Sequence, residues 1–284
     1  MFTLTAERPD GERLTLTQYG SAYSVTYAGF GPVAANVATS PRGMSSGDKI
    51  NSTRRGKRNA VLYVTIEGYN VEQNRIRLYD FFTPEQTVRL YYKNGTRNVY
   101  TVGTVETHEC DQFASPVVAQ ISIICPNPFW LGAEEIIKNI SGVVSMFSFP
   151  FSLPAAGVEM SSLTGEKYAL LHNAGDEPAG FVATVYARAN IINPVIYNAL
   201  TNEAIGITGT LEKGSTLTIS TVDGNKRIKI TDGNGIERNV LSLKRVGSKW
   251  LKLASGANYI AYAAQEGVDA MMVTLRHNEL FVGV

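Results

Sequence analysis

Hydrophobic and polar positions alternate with a period of two over much of the first half of the chain. Around Leu62, Val64 and Ile66, apolar residues occupy every second position and share one face of an extended strand. Residues 98–105 and 117–125 show the same alternation. This pattern predicts strands that bury one face and expose the other.

One segment between these strands has a helical period instead. Within residues 71–82, Ile76, Tyr79 and Phe82 recur at three-residue spacing, and Pro84 follows shortly after. Because a proline disfavours helical backbone in the residue before it, the helix should end there. We therefore predict one helix in the N-terminal half, packed against a sheet.

A second series of short strands occupies the C-terminal half. Residues 216–221, 226–231 and 236–243 are separated by Asp-Gly and Asn-Gly turn sequences, which predict a three-stranded meander. Residues 273–282 predict a last hairpin. Short strands at a spacing of about ten residues, with glycine-rich turns, favour an antiparallel sandwich.

Residues 132–166 differ from both halves. Residues 134–140 predict a helix of barely two turns, and an aromatic segment with Phe147, Phe149 and Phe151 follows among prolines. A segment with so many large apolar side chains is expected to pack against a domain or a neighbouring chain. These three phenylalanines are therefore candidate interface residues.

The predicted fold class is mainly β. The chain divides into an N-terminal domain, residues 1–131, and a C-terminal domain, residues 167–284, joined by a linker, residues 132–166. We predict that the N-terminal domain is a β-sandwich or barrel-like fold with one helix. The C-terminal domain is predicted to be an antiparallel β-sandwich.

Charge and targeting signals restrict the class of protein. Charged residues make up 18% of the chain against about 25% in an average soluble domain, while hydrophobic residues reach 44% and the formal net charge is +1. This balance excludes disorder and disfavours a dedicated nucleic-acid binder. No signal peptide is predicted, and prolines interrupt the charge-free stretches 112–133 and 139–158, so we expect synthesis inside the cell without membrane insertion.

The sequence contains no recognisable catalytic motif. Its three histidines are dispersed, and His108 with Cys110 lacks the second ligand pair of a zinc site. Cys125 lies in an apolar alternation that is typical of a core thiol, and with only two cysteines a single disulfide to Cys110 is left open. The glycine-rich segments lack the Lys-Ser/Thr pair of a phosphate loop. We therefore expect no catalytic residue, cofactor or metal.

Five cations fall within residues 49–58, opposed only by Asp48. One interpretation is a surface for a phosphate group, for an acidic partner or for DNA in a channel; the other is a solvated loop before the Leu62 strand. The loop interpretation is favoured because no stacking aromatics or groove-reading motif accompany the cations. The candidate contacts are Arg54, Arg55, Lys57 and Arg58.

Aromatic residues in the C-terminal domain raise the question of sugar binding. Trp250, Tyr259 and Tyr262 could form a stacking platform for a glycan, although their alternation with aliphatic residues also fits packed strands. Such a platform needs convergent polar groups, which the sequence does not place. The three aromatics remain candidate glycan contacts.

Taken in order, many of these segments resemble siphophage distal tail proteins. The ending Cys-Pro-Asn-Pro-Phe-Trp, residues 125–130, is the most characteristic segment. The N-terminal segments that resemble the family's first domain are 47–50, 58–68, 74–79, 88–92 and 121–130. Those that resemble its galectin-like C-terminal domain are 171–178, 192–198, 217–221, 250–253 and 256–258. The resemblance covers nearly the whole chain.

This resemblance implies a structural, non-enzymatic protein of the virion tail tip, made in the host cytoplasm. Family members assemble as a homo-hexameric ring below the tail tube protein and above the tail-associated hub protein, and DNA passes through the channel. The C-terminal sandwiches would face receptor-binding or baseplate proteins. A ring subunit buries two different faces against its neighbours, and interface cores are depleted in charge, which fits the composition.

Two other classes of function are weighed against this one. A carbohydrate-binding adhesin would hold host cell-wall glycan on the C-terminal domain. A wall hydrolase would need a cleft with paired carboxylates, which the sequence spacing does not reveal. The tail-tip assembly protein is the leading hypothesis.

Overall fold

The computed structural model describes residues 2–19, 22–111, 113–141, 143–145, 161–163 and 168–284. The chain forms two compact units, Met1–Glu134 together with Leu280–Val284, and Glu135–Glu279. Both units are built from strands, and the predicted mainly β fold class is confirmed. The phenylalanines 147, 149 and 151 lie outside the described residues.

The N-terminal unit contains helix α1, Val71–Phe81, and ten strands before the second unit begins. The strands are β1 Thr3–Glu7, β2 Arg13–Thr17, β3 Tyr23–Ala28, β4 Ala35–Pro41, β5 Asp48–Arg55, β6 Arg58–Ile66, β7 Thr87–Lys93, β8 Asn98–Cys110, β9 Val117–Cys125 and β10 Trp130–Gly132. Helix α1 agrees with the predicted segment. Its buried face carries Leu78 and Phe81, whereas Ile76 of the predicted stripe is exposed.

Seven of these strands close into a barrel. They run in the order β8-β7-β1-β2-β3-β6-β9, and β9 pairs back to β8. The period-two alternation predicted for β6 is observed, since Leu62, Val64 and Ile66 are buried in the barrel core while Tyr63 is exposed. Neighbouring pairs are antiparallel except β2 and β3, which meet in parallel at Thr17.

The C-terminal unit contains two main sheets that share one core. Its strands are β11 Ile136–Asn139, β12 Val143–Ser145, β13 Ser161–Leu163, β14 Tyr168–Asn173, β15 Val182–Ala187, β16 Ile191–Ile192, β17 Val195–Asn198, β18 Ala204–Gly206, β19 Thr210–Leu211, β20 Thr216–Ser220, β21 Arg227–Thr231, β22 Glu237–Asn239, β23 Gly256–Ala263 and β24 Met271–His277. Short 3₁₀ helices span Leu241–Leu243 and Val268–Ala270. The final strand of the chain is β25, Leu280–Phe281.

The two main sheets have the orders β11-β24-β15-β20-β21-β22 and β14-β23-β17-β18. Val185 and Leu217 of the first sheet and Ile196 and Ile260 of the second lie in the same buried cluster. The predicted meander is observed as β20, β21 and β22, with its third strand shorter than expected.

Two local predictions are wrong. Residues 134–140 do not form a helix, because Ile136–Asn139 pairs as an antiparallel edge strand with β24. The predicted last hairpin is also absent from the described strands, since β24 pairs with β11 and β15 whereas β25 pairs with β10 of the N-terminal unit. The chain therefore ends in the unit in which it began.

Candidate partner-binding surfaces

Strands β4 and β5 form a two-stranded ribbon, inserted in sequence between β3 and β6 of the barrel. Every residue of the two strands is exposed except the half-buried Ser40. An isolated two-stranded ribbon is marginally stable in water at best. Contact with another surface would therefore stabilise the ribbon.

The register of the ribbon gathers apolar side chains on one of its faces. A bulge between Ala38 and Thr39 shifts the pairing so that Thr39 lies opposite Ile50. Val37 and Thr39 share a face by strand alternation, and the bulge therefore places Ile50 on the face of Val37. Both are exposed, and Met44 is fully exposed in the turn.

Three of the four predicted basic contacts lie on or next to this ribbon. Arg54 and Arg55 belong to β5, Lys57 follows it, and all three are exposed. The favoured interpretation of this segment as a loop is wrong, because Asp48–Arg55 is a strand. The guanidinium carbon of Arg55 lies 5.2 Å from the ring centre of Phe129. The ribbon thus presents an exposed basic surface.

The fourth predicted contact, Arg58, is buried. It is 1% exposed, and its guanidinium donates to four backbone carbonyls and lies 5.3 Å from the ring centre of Trp130. The bonds are Nη1 to the oxygens of Gly29 and Gly31 (2.7 Å each), Nε and Nη2 to Pro128 (3.2 and 2.6 Å), and Nη2 to Val282 (3.0 Å). Burial lowers the pKa of Arg58. The prediction that Arg58 contacts a partner or DNA is therefore wrong; it ties the last residues of the chain to the barrel.

The aromatic residues predicted to bind glycan do not form one platform. Tyr262 is buried against the core, whereas Tyr259, three residues earlier in β23, points to the opposite face and is partly exposed. Trp250 packs against the core, with the Nζ of Lys244 5.6 Å from its ring centre. Strand alternation separates the rings, so the predicted platform is wrong as a single surface.

A groove that the sequence did not predict lies on the outer face of the second sheet of the C-terminal unit. It has a volume of about 600 Å³ and contains Val195, Tyr197 and Ala263, with Arg245 nearby. At the edge of the groove, Lys249 Nζ donates to Glu203 Oε1 at 2.7 Å. The residues come from three strands and two loops, and only the folded sheet brings them together.

Three exposed aromatic residues of the N-terminal unit were also not predicted. Tyr69 is fully exposed, Phe113 is 92% exposed and Tyr19 is 75% exposed. Each lies in a loop, where no periodic pattern distinguishes it from a solvated aromatic. Large apolar side chains exposed in this way often mark interaction surfaces.

Burial shifts the pKa values of two titratable side chains of the N-terminal unit, His108 and Cys125. His108 Nδ1 lies 3.1 Å from the carbonyl oxygen of Phe82, and burial lowers the pKa of the imidazole. Burial raises the pKa of the Cys125 thiol, and Cys110 and Cys125 are both free.

In the described part of the chain, no cluster of three or more His, Cys, Asp or Glu side chains has a metal-binding arrangement. No helix there is long and apolar enough to span a membrane.

Comparison with known proteins gives a family match for part of the C-terminal unit and a fold match for nearly all of the chain. Residues 174–281 match the family model described as a siphovirus-type tail component, C-terminal domain. A search of curated proteins found no match.

Three solved structures share the fold. The Dit protein (gp 19.1) of phage SPP1, described as a paradigm of the hub adsorption apparatus in phages that infect Gram-positive bacteria, matches with a TM-score of 0.64 and 12% identity over 98% of this chain and 99% of that one. Chains of the phage P2 baseplate in its activated conformation with Ca or Sr match with TM-scores of 0.51 and 0.52. Both are 10% identical over 98% of each chain.

The predicted resemblance is therefore confirmed: residues 174–281 match the C-terminal domain of siphovirus-type tail components, and the chain as a whole is similar in fold to the SPP1 Dit protein.

Proposed function

We propose that this protein is a distal tail protein that forms a homo-hexameric ring and joins the tail tube to the tail-tip hub and the receptor-binding apparatus. The observation that carries the proposal is the match to the SPP1 Dit fold over 98% of this chain. In this proposal the protein has no enzymatic role. It acts in the virion tail after synthesis in the host cytoplasm.

Each part of the chain has a place in the proposed ring. The barrel unit forms the ring around a channel through which DNA passes, with contacts to the tail tube protein and the hub protein. The C-terminal unit faces outward toward receptor-binding or baseplate proteins. The uncovered β4–β5 ribbon and the low charged fraction of 18% support an assembled state, since interface cores are depleted in charge.

Native mass spectrometry of the purified chain tests this function. A hexamer of a 30.9 kDa chain has a mass of about 185 kDa, six times the monomer. We expect this mass at micromolar concentration or on addition of the tail partners. A chain that stays at 30.9 kDa under both conditions would contradict the proposal.

The groove of the C-terminal unit favours carbohydrate binding as a second candidate function. Tyr197 offers a ring to the apolar face of a sugar, and the paired Lys249 and Glu203 offer polar contacts to its hydroxyls. Titration of the full chain with host cell-wall polysaccharide tests this candidate. Saturable binding that is lost in Tyr197→Ala and kept in Tyr259→Ala would support it, and the absence of binding would dismiss it.

A further inference from the structure

Three loops of the barrel unit come together around the end of β6. Ile66, the last residue of β6, pairs with Tyr23 on one side and with Val117 on the other. The loop before Tyr23 carries Tyr19, the loop after Ile66 carries Tyr69, and the loop before Val117 carries Phe113. We call these three exposed aromatic residues the rim.

A backbone hydrogen bond fixes two of these loops to each other. The amide of Glu67 donates to the carbonyl oxygen of Ala22 at 2.9 Å, and the hydroxyl of Ser24 donates to the Glu67 carboxylate at 2.6 Å. Neighbouring strands in a sheet are about 4.8 Å apart, so the three loops occupy adjacent positions. The three rim residues therefore lie on neighbouring loops at the same end of the barrel.

The rim has acidic surroundings. Glu67 lies in the central loop, Asp111 lies beside Phe113, and Glu109 is at the end of β8; all three are exposed. One cation, Arg77 of α1, lies close enough to Tyr23 to oppose the rise in the pKa of its hydroxyl that burial causes. An apolar partner with a basic border fits this surface better than an acidic or purely polar one.

The ribbon formed by β4 and β5 has this combination of an apolar face and basic side chains. Its apolar face carries Val37 and Ile50, and its turn carries Met44, whose thioether is a favourable neighbour for aromatic rings. The flexible thioether also adapts to an irregular surface. Exposed cations along the ribbon include Lys49, Arg54 and Lys57.

Ribbon and rim lie at opposite ends of one strand. The ribbon leads into β6 at Arg58, and the rim surrounds its end at Ile66. The eight residue steps from Arg58 to Ile66 span about 26 Å at ~3.3 Å per residue. Two different patches at a distance on one subunit produce a head-to-tail contact, which closes into a ring when the rotation allows it.

We propose that the ribbon of one copy docks on the rim of the next copy around the ring. The apolar face of the ribbon covers Tyr19, Tyr69 and Phe113, and its cations face Glu67, Glu109 and Asp111. This contact stabilises a ribbon whose residues, apart from the half-buried Ser40, are exposed in the described part of the chain. The inference rests on the proposed ring and specifies which surfaces build it.

Two variants of the full chain test the two sides of this contact separately, one in the rim and one in the ribbon. The rim variant carries Tyr69→Ser and Phe113→Ser, and the ribbon variant carries Ile50→Thr and Arg54→Glu. All four side chains are exposed, so thermal unfolding of both variants should match that of the wild type. The control carries Tyr186→Ser and Val246→Ser, two exposed apolar residues of the C-terminal unit.

Native mass spectrometry and light scattering then measure assembly. Each variant should need at least a roughly tenfold higher concentration to assemble than the wild type or the control, because aromatic anchors dominate interface affinity. An equimolar mixture of the two variants should form 1:1 dimers, since it contains one intact ribbon and one intact rim for each pair.

The outcomes distinguish this contact from the ring itself. If both variants form rings like the wild type, or if the mixture stays monomeric, the ribbon-to-rim contact is overturned while the proposed function stands. If the wild type forms open chains and the mixture forms dimers, the contact is supported and the hexameric ring is contradicted.

Discussion

Replacement of Arg58 by methionine tests how the end of the chain is held. The side chain donates all five of its N–H groups to backbone carbonyls, and each such charge-assisted bond contributes about 1.5–3 kcal/mol. Desolvation of the guanidinium costs several kcal/mol, as its lowered pKa indicates. We therefore expect Arg58→Met to lower the free energy of unfolding by about 3–5 kcal/mol, near the upper end for single substitutions.

Urea unfolding measures this change, followed by tryptophan fluorescence in a Trp250→Phe background so that Trp130 is the remaining tryptophan. Arg54→Met is the matched control, because Arg54 is an exposed arginine four residues earlier and its loss should change the free energy of unfolding by less than about 0.5 kcal/mol. Arg58→Lys should fall between the two, since an ammonium has three donors in place of a planar five-donor fork. If Arg58→Met and Arg54→Met are equally stable, the buried bonds do not hold the barrel as described.

Two further predictions concern a turn and a buried histidine. Gly29→Ala should lower the free energy of unfolding in urea by more than about 3 kcal/mol, because φ is +74° and the new Cβ would lie 1.8 Å from the carbonyl oxygen of Asn59. The control, Gly11→Ala, has φ +89° but open space around it, so it should lower the free energy of unfolding by about 1 kcal/mol. Equal losses in the two variants would contradict this packing. Burial lowers the pKa of His277, so the unfolded state binds the proton more readily and stability should fall as the pH drops below about 6.5. His277→Leu should flatten that decline in ΔG between pH 7 and 5 measured by urea titration, and an unchanged slope would refute the assignment.

The elements that sequence reasoning located well are those with one buried face. Residues 117–125 match β9, and the alternation of Leu62, Val64 and Ile66 matches β6, because a barrel interior demands an apolar residue at every second position. The bounds of helix α1 were predicted well, although its buried face carries Leu78 and Phe81 and not Ile76 of the predicted stripe.

The two strands of the ribbon were not predicted from the sequence. With no buried face, β4 and β5 carry no alternation, and their polar residues resemble a loop. Residues 134–140 have helical propensity, but tertiary pairing with β24 prevails in Ile136–Asn139. β25 is too short to reveal that its partner, β10, lies about 150 residues earlier in the chain.

The positions of the candidate functional residues could not be predicted from the sequence, because their contacts exist only in the folded chain. Arg58 resembles its basic neighbours in sequence, yet as the first residue of β6 it points inward to four carbonyls. Tyr259 and Tyr262 are close in sequence but on opposite faces of β23. The rim aromatics are distant in sequence, and their loops lie at the same end of the barrel only because Ile66 pairs with both neighbouring strands.

Class averages from negative-stain electron microscopy of the purified chain, alone and mixed with the proposed tail tube and hub proteins, test whether it assembles as a ring. We expect sixfold rings with a central channel and a mass of about 185 kDa, six times 30.9 kDa. Particles of a single 30.9 kDa chain under all of these conditions, or a closed twofold dimer, would contradict it.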